Sequence, residues 1–203
     1  MFDSGISVKE LVADLISEVD VALDIPEKNY AEWLNSLQQL LYTEVIKEQK
    51  KTVLKPPFNN PIDISSLPIG NDENAPKFED IYAVYADGTQ LIKSTLTSGV
   101  IFPDSYYKDN NNIGYKTKNE PTEITIVYIV KPALITTTSH GNINDTKVMI
   151  PIEFIDLVKA KLRGEAYKLA NEDNIAAKWL NDYNVLLENF KSWIGNKSPT
   201  FGI

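Results

Sequence analysis

Apolar residues recur at helical spacing near the start of the chain. Ser7-Val8-Lys9-Glu10 has the form of a capping box, and the stripe behind it predicts a first helix from about Ser7 to Val21. Pro26 suits the first turn of a second helix, whose stripe extends to about Lys50. The two stripes are Val8, Leu11, Val12, Leu15, Ile16 and Val19, then Tyr30, Trp33, Leu34, Leu37, Leu40, Leu41, Val45 and Ile46.

The helical period returns after Pro151. A third stripe breaks near Asn171, and a fourth continues to Gly195, where we expect the helix to end. Two helices at each end of the chain predict a four-helix bundle of residues 1–54 and 151–195, with residues 196–203 as a C-terminal arm. The later stripes are Ile152, Ile155, Leu157, Val158, Leu162, Ala166, Tyr167 and Ala170, then Ile175, Ala176, Trp179, Leu180, Tyr183, Leu186, Leu187, Phe190, Trp193 and Ile194.

The middle of the chain has a β pattern. Five prolines in residues 55–77 predict an extended connection, and Asp87-Gly88 predicts a hairpin turn, because both central positions of such a turn need positive φ. Residues 123–130 alternate with apolar side chains on both faces, which indicates a strand covered on both sides. The predicted fold class is therefore α+β: the helical bundle, an inserted small antiparallel β domain at 78–133, and connections at 55–77 and 134–150.

Composition and charge exclude several classes of function. The 203 residues include no cysteine, which rules out thiol nucleophiles, cysteine zinc sites and disulfides. Residues 1–50 carry 4 lysines against 10 acidic residues, and the net charge of −8 has the wrong sign for gripping nucleic-acid phosphates. Charged residues interrupt the first twenty positions, and no apolar run reaches membrane-spanning length. We therefore expect no signal peptide, no membrane association and synthesis in the cytoplasm.

Two local motifs suggest chemistry. His140, the only histidine, could form a triad with Ser139 and Asp145, but neighbours in a Ser/Gly/Asn loop supply neither an oriented base nor an oxyanion hole. We interpret it as an exposed loop histidine. The segment from Asp109 to Glu120 nearly matches a calcium loop, but Ile113 cannot supply a side-chain oxygen where one is needed. An Asn-rich hairpin or surface loop is the favoured interpretation.

The remaining signals do not indicate catalysis. No phosphate-binding or nucleophile-elbow glycine motif occurs, and the acidic pairs Glu79-Asp80 and Glu172-Asp173 have ordinary structural explanations, the second at a helix N-terminus. The sequence predicts a protein that is not an enzyme and needs no cofactor or metal. Aromatic residues 179, 183, 190 and 193 are most simply core, although Trp193 is also suited to an interface.

The C-terminal pattern resembles that of bacteriophage head–tail connector proteins, also called adaptor or neck proteins. It consists of a proline-started helix (residues 150–158), a small-residue continuation (166–170, Asp173 and Ala176-Ala177) and a final long helix to Trp193. In this group the N- and C-terminal helices pack together, and a β-rich segment can be inserted. The resemblance covers the architecture of most of the chain, and its residue pattern spans about 45 positions.

The resemblance implies a structural function in the virion neck. Copies would form a ring, expected to be a dodecamer, between the portal protein and a tail component, and DNA would pass through without specific binding. The apolar Phe201 and Ile203, beyond the last helix, predict that residues 196–203 dock onto the portal or a neighbouring subunit. The alternative is a non-enzymatic module that binds a protein or carbohydrate through the β domain.

Overall fold

The computed structural model describes residues 4–19, 24–67, 77–95, 102–144 and 146–197. Over these residues the chain is α+β, with four α-helices and two four-stranded sheets. It divides into two compact units. The helical unit comprises Met1–Ile46 and Leu134–Ile203, and the β unit comprises Lys47–Ala133.

The helical unit takes two helices from each end of the chain. The capping box predicted at Ser7 is confirmed: the Ser7 Oγ accepts from the Lys9 N–H, and the Ser7 N–H donates to Glu10. The helices are α1 (Val8–Glu18), α2 (Glu27–Leu40), α3 (Ile155–Leu169) and α4 (Asp173–Lys197). A π-helical turn, Leu41–Ile46, continues α2, and a 3₁₀ turn, Ile152–Phe154, precedes α3.

One hydrophobic core joins residues from all four helices. Fully buried side chains include Leu11 of α1, Leu34 of α2, Leu162 of α3 and Phe190 of α4. The α3–α4 pair packs closely at Gly164, where an added Cβ would lie 2.7 Å from the Leu180 side chain. A glycine inside a helix lowers intrinsic helix stability, so its benefit here is this close approach.

Residues 134–150, here called the return segment, lie between the N-terminal residues and α2. On one side the backbone of Val148 bonds with Ser4 and Ile6, and the Val8 N–H donates to the Thr146 carbonyl. On the other side, side chains of α2 form hydrogen bonds with the backbone of the return segment. Asn35 exchanges two hydrogen bonds with the backbone of Ile135, Glu27 accepts from the Ile143 N–H, and Gln38 accepts from the Met149 N–H at 2.6 Å.

Two sheets share the core of the β unit, with β1 (Gln49–Leu54) at one edge of the first sheet. The other strands are β2 (Ile62–Asp63), β3 (Lys77–Ala86), β4 (Thr89–Gln90), β5 (Ile92–Lys93), β6 (Ser105–Asp109), β7 (Asn112–Lys116) and β8 (Ile124–Lys131). Strand order is β1-β8-β3-β4 in the first sheet and β2-β7-β6-β5 in the second. Pairing is antiparallel except for β5 with β6.

The predicted hairpin turn at Asp87-Gly88 is confirmed. Asp87 has φ 47° and Gly88 has φ 79°, and the turn joins β3 to β4. The Asp87 carboxylate accepts hydrogen bonds from the side chain and N–H of Thr122 and from the N–H of Glu123. These bonds, led by that of the Thr122 hydroxyl, lower the pKa of Asp87.

The predicted four-helix bundle with a small inserted antiparallel β domain is wrong. The described strands form two four-stranded sheets, which make up a large part of the protein rather than a small insertion. The second sheet is mixed, because β5 runs parallel to β6. Strand β1 occupies part of the segment expected to continue the second helix to Lys50. The α-helix ends at Leu40, and Lys47 adopts φ 46°, a left-handed conformation that ends the helical path.

Two finer predictions also need correction. The expected connection 55–77 contains β2 and a 3₁₀ turn, because Ile62 is buried and pairs with Ile113 of β7. The expected stop at Gly195 is wrong, since α4 continues to Lys197. A helix can pass through a glycine at a modest cost in stability.

Substituting Gly164 by alanine should destabilise the helical unit by about 1–3 kcal/mol, because the new methyl group overpacks against Leu180. Chemical denaturation measures this change. The matched control is Gly195→Ala in α4, where a Cβ meets nothing within 4 Å. It should leave stability unchanged or raise it by about 0.5 kcal/mol. Equal effects of the two variants would contradict the close packing at Gly164.

Replacing Gln38 by alanine should cost about 1–3 kcal/mol, because the N–H of Met149 loses its acceptor beneath a side chain that is only 1% exposed. The change is measured by urea unfolding. The control is Ser36→Ala on the exposed side of α2, where the hydroxyl donates a hydrogen bond to the Glu32 carbonyl of the same helix. That variant should stay within about 0.5 kcal/mol of the parent.

Candidate interaction surfaces

The candidate catalytic histidine lies in an exposed turn. His140 Nδ1 is 3.4 Å from Ser139 Oγ, and both residues are exposed. Asp145, the third member of the possible triad, lies outside the described residues. A depression beside the turn is bordered by Glu27, but the Glu27 carboxylate is bonded to the Ile143 N–H and supports the loop. The geometry agrees with an exposed loop histidine.

The segment beginning at Asp109 forms a β-hairpin, as the favoured interpretation expected. Asp109 pairs with Asn112 across the turn, Asn110 has φ 49°, and Ile113 is fully buried in β7. The Asn111 amide donates to Asp63 at 2.7 Å, which ties the turn to β2. Within the described ranges, no three His, Cys, Asp or Glu side chains gather as a metal site requires.

The acidic pair Glu79-Asp80 takes part in ion pairs within the β unit. Glu79 pairs with Lys131 of β8, whereas the Asp80 carboxylate lies 3.3 Å from Lys108 of β6 in the other sheet. Burial raises the pKa of Asp80, but the Ile81 N–H and Lys108 outweigh it, so the pKa lies below its usual value. Asp80 thus helps to join the two sheets.

The second acidic pair and a lone arginine have structural roles in the helical unit. Asp173 begins α4, as expected for acidic residues at a helix N-terminus. Arg163, the only arginine, lies over the Trp179 ring at 4.5 Å and pairs with Glu18 of α1. The sequence pattern does not reveal the ion pair, because Arg163 and Glu18 are 145 residues apart along the chain.

The aromatic side chains of α4 are largely committed to the core. Tyr183 and Phe190 are buried, and the half-buried Trp193 packs against Phe154 at 5.1 Å and against Phe190 at 6.1 Å. The interpretation of this aromatic stripe as core therefore holds for Tyr183 and Phe190, and Trp193 packs at the border of the core. The other two proposed interface residues, Phe201 and Ile203, lie outside the described residues.

An apolar groove, which sequence reasoning missed, lies between the end of α2 and the last turns of α4. Its volume is about 640 Å³. Leu40 at its border is 47% exposed, whereas Leu41 beneath is fully buried. The groove depends on the π-helical turn, which no periodicity in the sequence predicts. Its lining is Leu40, Leu41, Glu44, Val45, Leu187, Lys191, Ile194 and Gly195.

The sequence matches no protein-family model and no curated protein. In the part of the chain that the structure describes, no helix has the length and apolar character needed to cross a membrane.

Proposed function

We propose that the protein is a structural head–tail connector of a bacteriophage. Its copies form a ring, expected to have twelve members, between the portal protein and a tail component. The main support is that two helices from each end of the chain share one hydrophobic core. In the sequence, the β unit lies between the two pairs of helices, and the connector group that the C-terminal sequence resembles can also carry a β-rich insertion.

The distribution of charge supports the same proposal. The helical unit carries 17 acidic and 10 basic residues, whereas the β unit carries 11 and 10, so nearly all the excess negative charge belongs to the helical unit. An acidic surface repels phosphate groups. A ring whose channel is lined by such a surface lets DNA pass without holding it.

We assign the contact between neighbouring subunits to the apolar groove of the helical unit. The groove offers the half-buried side chains of Val45, Leu187 and Ile194 to an apolar side chain. The arm that follows α4 carries Phe201 and Ile203. Six residues reach about 20 Å when extended. We place this arm in the groove of the neighbouring subunit.

The direct experiment is co-sedimentation of the purified protein with the portal ring of the same phage, followed by negative-stain imaging. A stoichiometric ring on the portal is expected. If the two proteins do not associate at low or moderate salt, the connector proposal fails. The alternative, a protein- or carbohydrate-binding module acting through the β unit, would then be preferred.

Leu40→Glu should prevent ring formation on the portal while leaving the fold intact, because it adds a charge at the border of the groove. The matched control is Val185→Glu, at a 57% exposed residue of α4 that does not line the groove. Deleting residues 198–203, which spares α4, should have the same effect as Leu40→Glu. Normal rings from Leu40→Glu and the deletion would contradict the assigned contact, although not the connector function itself.

A further inference from the structure

Strand β1, with six residues, is the longest of the edge strands that the structure describes in the β unit. Among the described strands, the other three sheet edges are β2, β4 and β5, each only two residues long. Short edge strands offer little backbone for another chain to pair with. Six-residue β1 is thus the one described edge with enough backbone to accept a further strand.

The register of β1 defines which of its backbone groups face outward. The Val130 N–H donates to the Glu48 carbonyl, so Lys50, Thr52 and Leu54 occupy the hydrogen-bonded positions opposite β8. The N–H and C=O groups of the alternate residues, Gln49, Lys51 and Val53, therefore point away from β8. Both Lys51 and Val53 are exposed, and the Val53 side chain is 46% exposed.

The same segment concentrates positive charge in an acidic protein. Lys47, Lys50, Lys51 and Lys55 lie within nine residues, with Glu48 as the only acid among them, and all four lysines are exposed. Two copies of β1 paired edge to edge would bring these lysines together, which is unfavourable. The charge therefore favours a partner of the opposite sign over a second copy of β1.

We propose that β1 binds an extended acidic segment of a partner protein, which adds to the first sheet as a fifth strand. Backbone hydrogen bonds to Lys51 and Val53 supply part of the affinity, and acidic side chains near Lys50 and Lys51 set the preference. This surface belongs to the β unit alone and does not depend on the connector function.

The test uses fluorescein-labelled seven-residue peptides and the full chain. A peptide of alternating Glu and Val should raise the fluorescence anisotropy, and a Lys and Val peptide should bind at least tenfold more weakly. Because the contact is charged and exposed, affinity for the acidic peptide should fall as salt rises. Hydrogen exchange of the Lys51 and Val53 amides should slow when the acidic peptide is present.

Val53→Pro removes one outward N–H without removing a bond to β8, so it should abolish peptide binding and leave the fold intact. Val53→Thr, which keeps that N–H, should bind like the parent. Lys50→Glu combined with Lys51→Glu should reverse the preference between the two peptides.

The proposal is overturned if neither peptide binds, if the two bind equally, or if Val53→Pro binds normally. It is also overturned if the parent chain dimerises and Val53→Pro does not, since the occupant would then be a second copy.

Discussion

The structure of the helical unit depends on the hydrogen bonds that attach the return segment to the N-terminal residues and to α2. Residues 134–150 bring the chain back from the β unit, and the backbone groups of the buried residues among them, such as Ile135 and Ile143, need hydrogen-bond partners because water cannot reach them. The N-terminal residues supply backbone partners on one side, and Asn35, Gln38 and Glu27 supply side-chain partners on the other. Because these bonds join positions at least 100 residues apart, they connect the start of the chain to the segment that leads into α3.

These hydrogen bonds explain how the sequence of the helical unit can be interrupted by a large β unit. The chain leaves the helical unit after Ile46 and returns at Leu134, and the bonds to α2 fix the point of return.

The two units also differ in chemistry. The helical unit is strongly acidic and has an apolar groove, whereas the β unit is nearly neutral overall and has a lysine-rich edge.

Local signals in the sequence predicted the elements that local interactions determine. The capping box at Ser7 and the turn at Asp87-Gly88 involve residues within a few positions of each other, and both are confirmed. Strand β1 was missed because the apolar stripe of α2 continues through the π-helical turn, and only the left-handed Lys47 ends it. The groove and the Arg163 contact were missed because each joins residues distant in sequence. Phe201 and Ile203 lie outside the described residues, so their predicted role stays a prediction.

Hydrogen exchange at the return segment tests this account most directly. The amides of Ile135, Ile143 and Met149 each donate to a side chain of α2. If the return segment is integral to the helical unit, these amides should exchange only through global unfolding, with the same opening free energy as core amides of α3. Exchange of these three amides through a separate opening of lower free energy would show that the return segment is a peripheral loop and contradict the account.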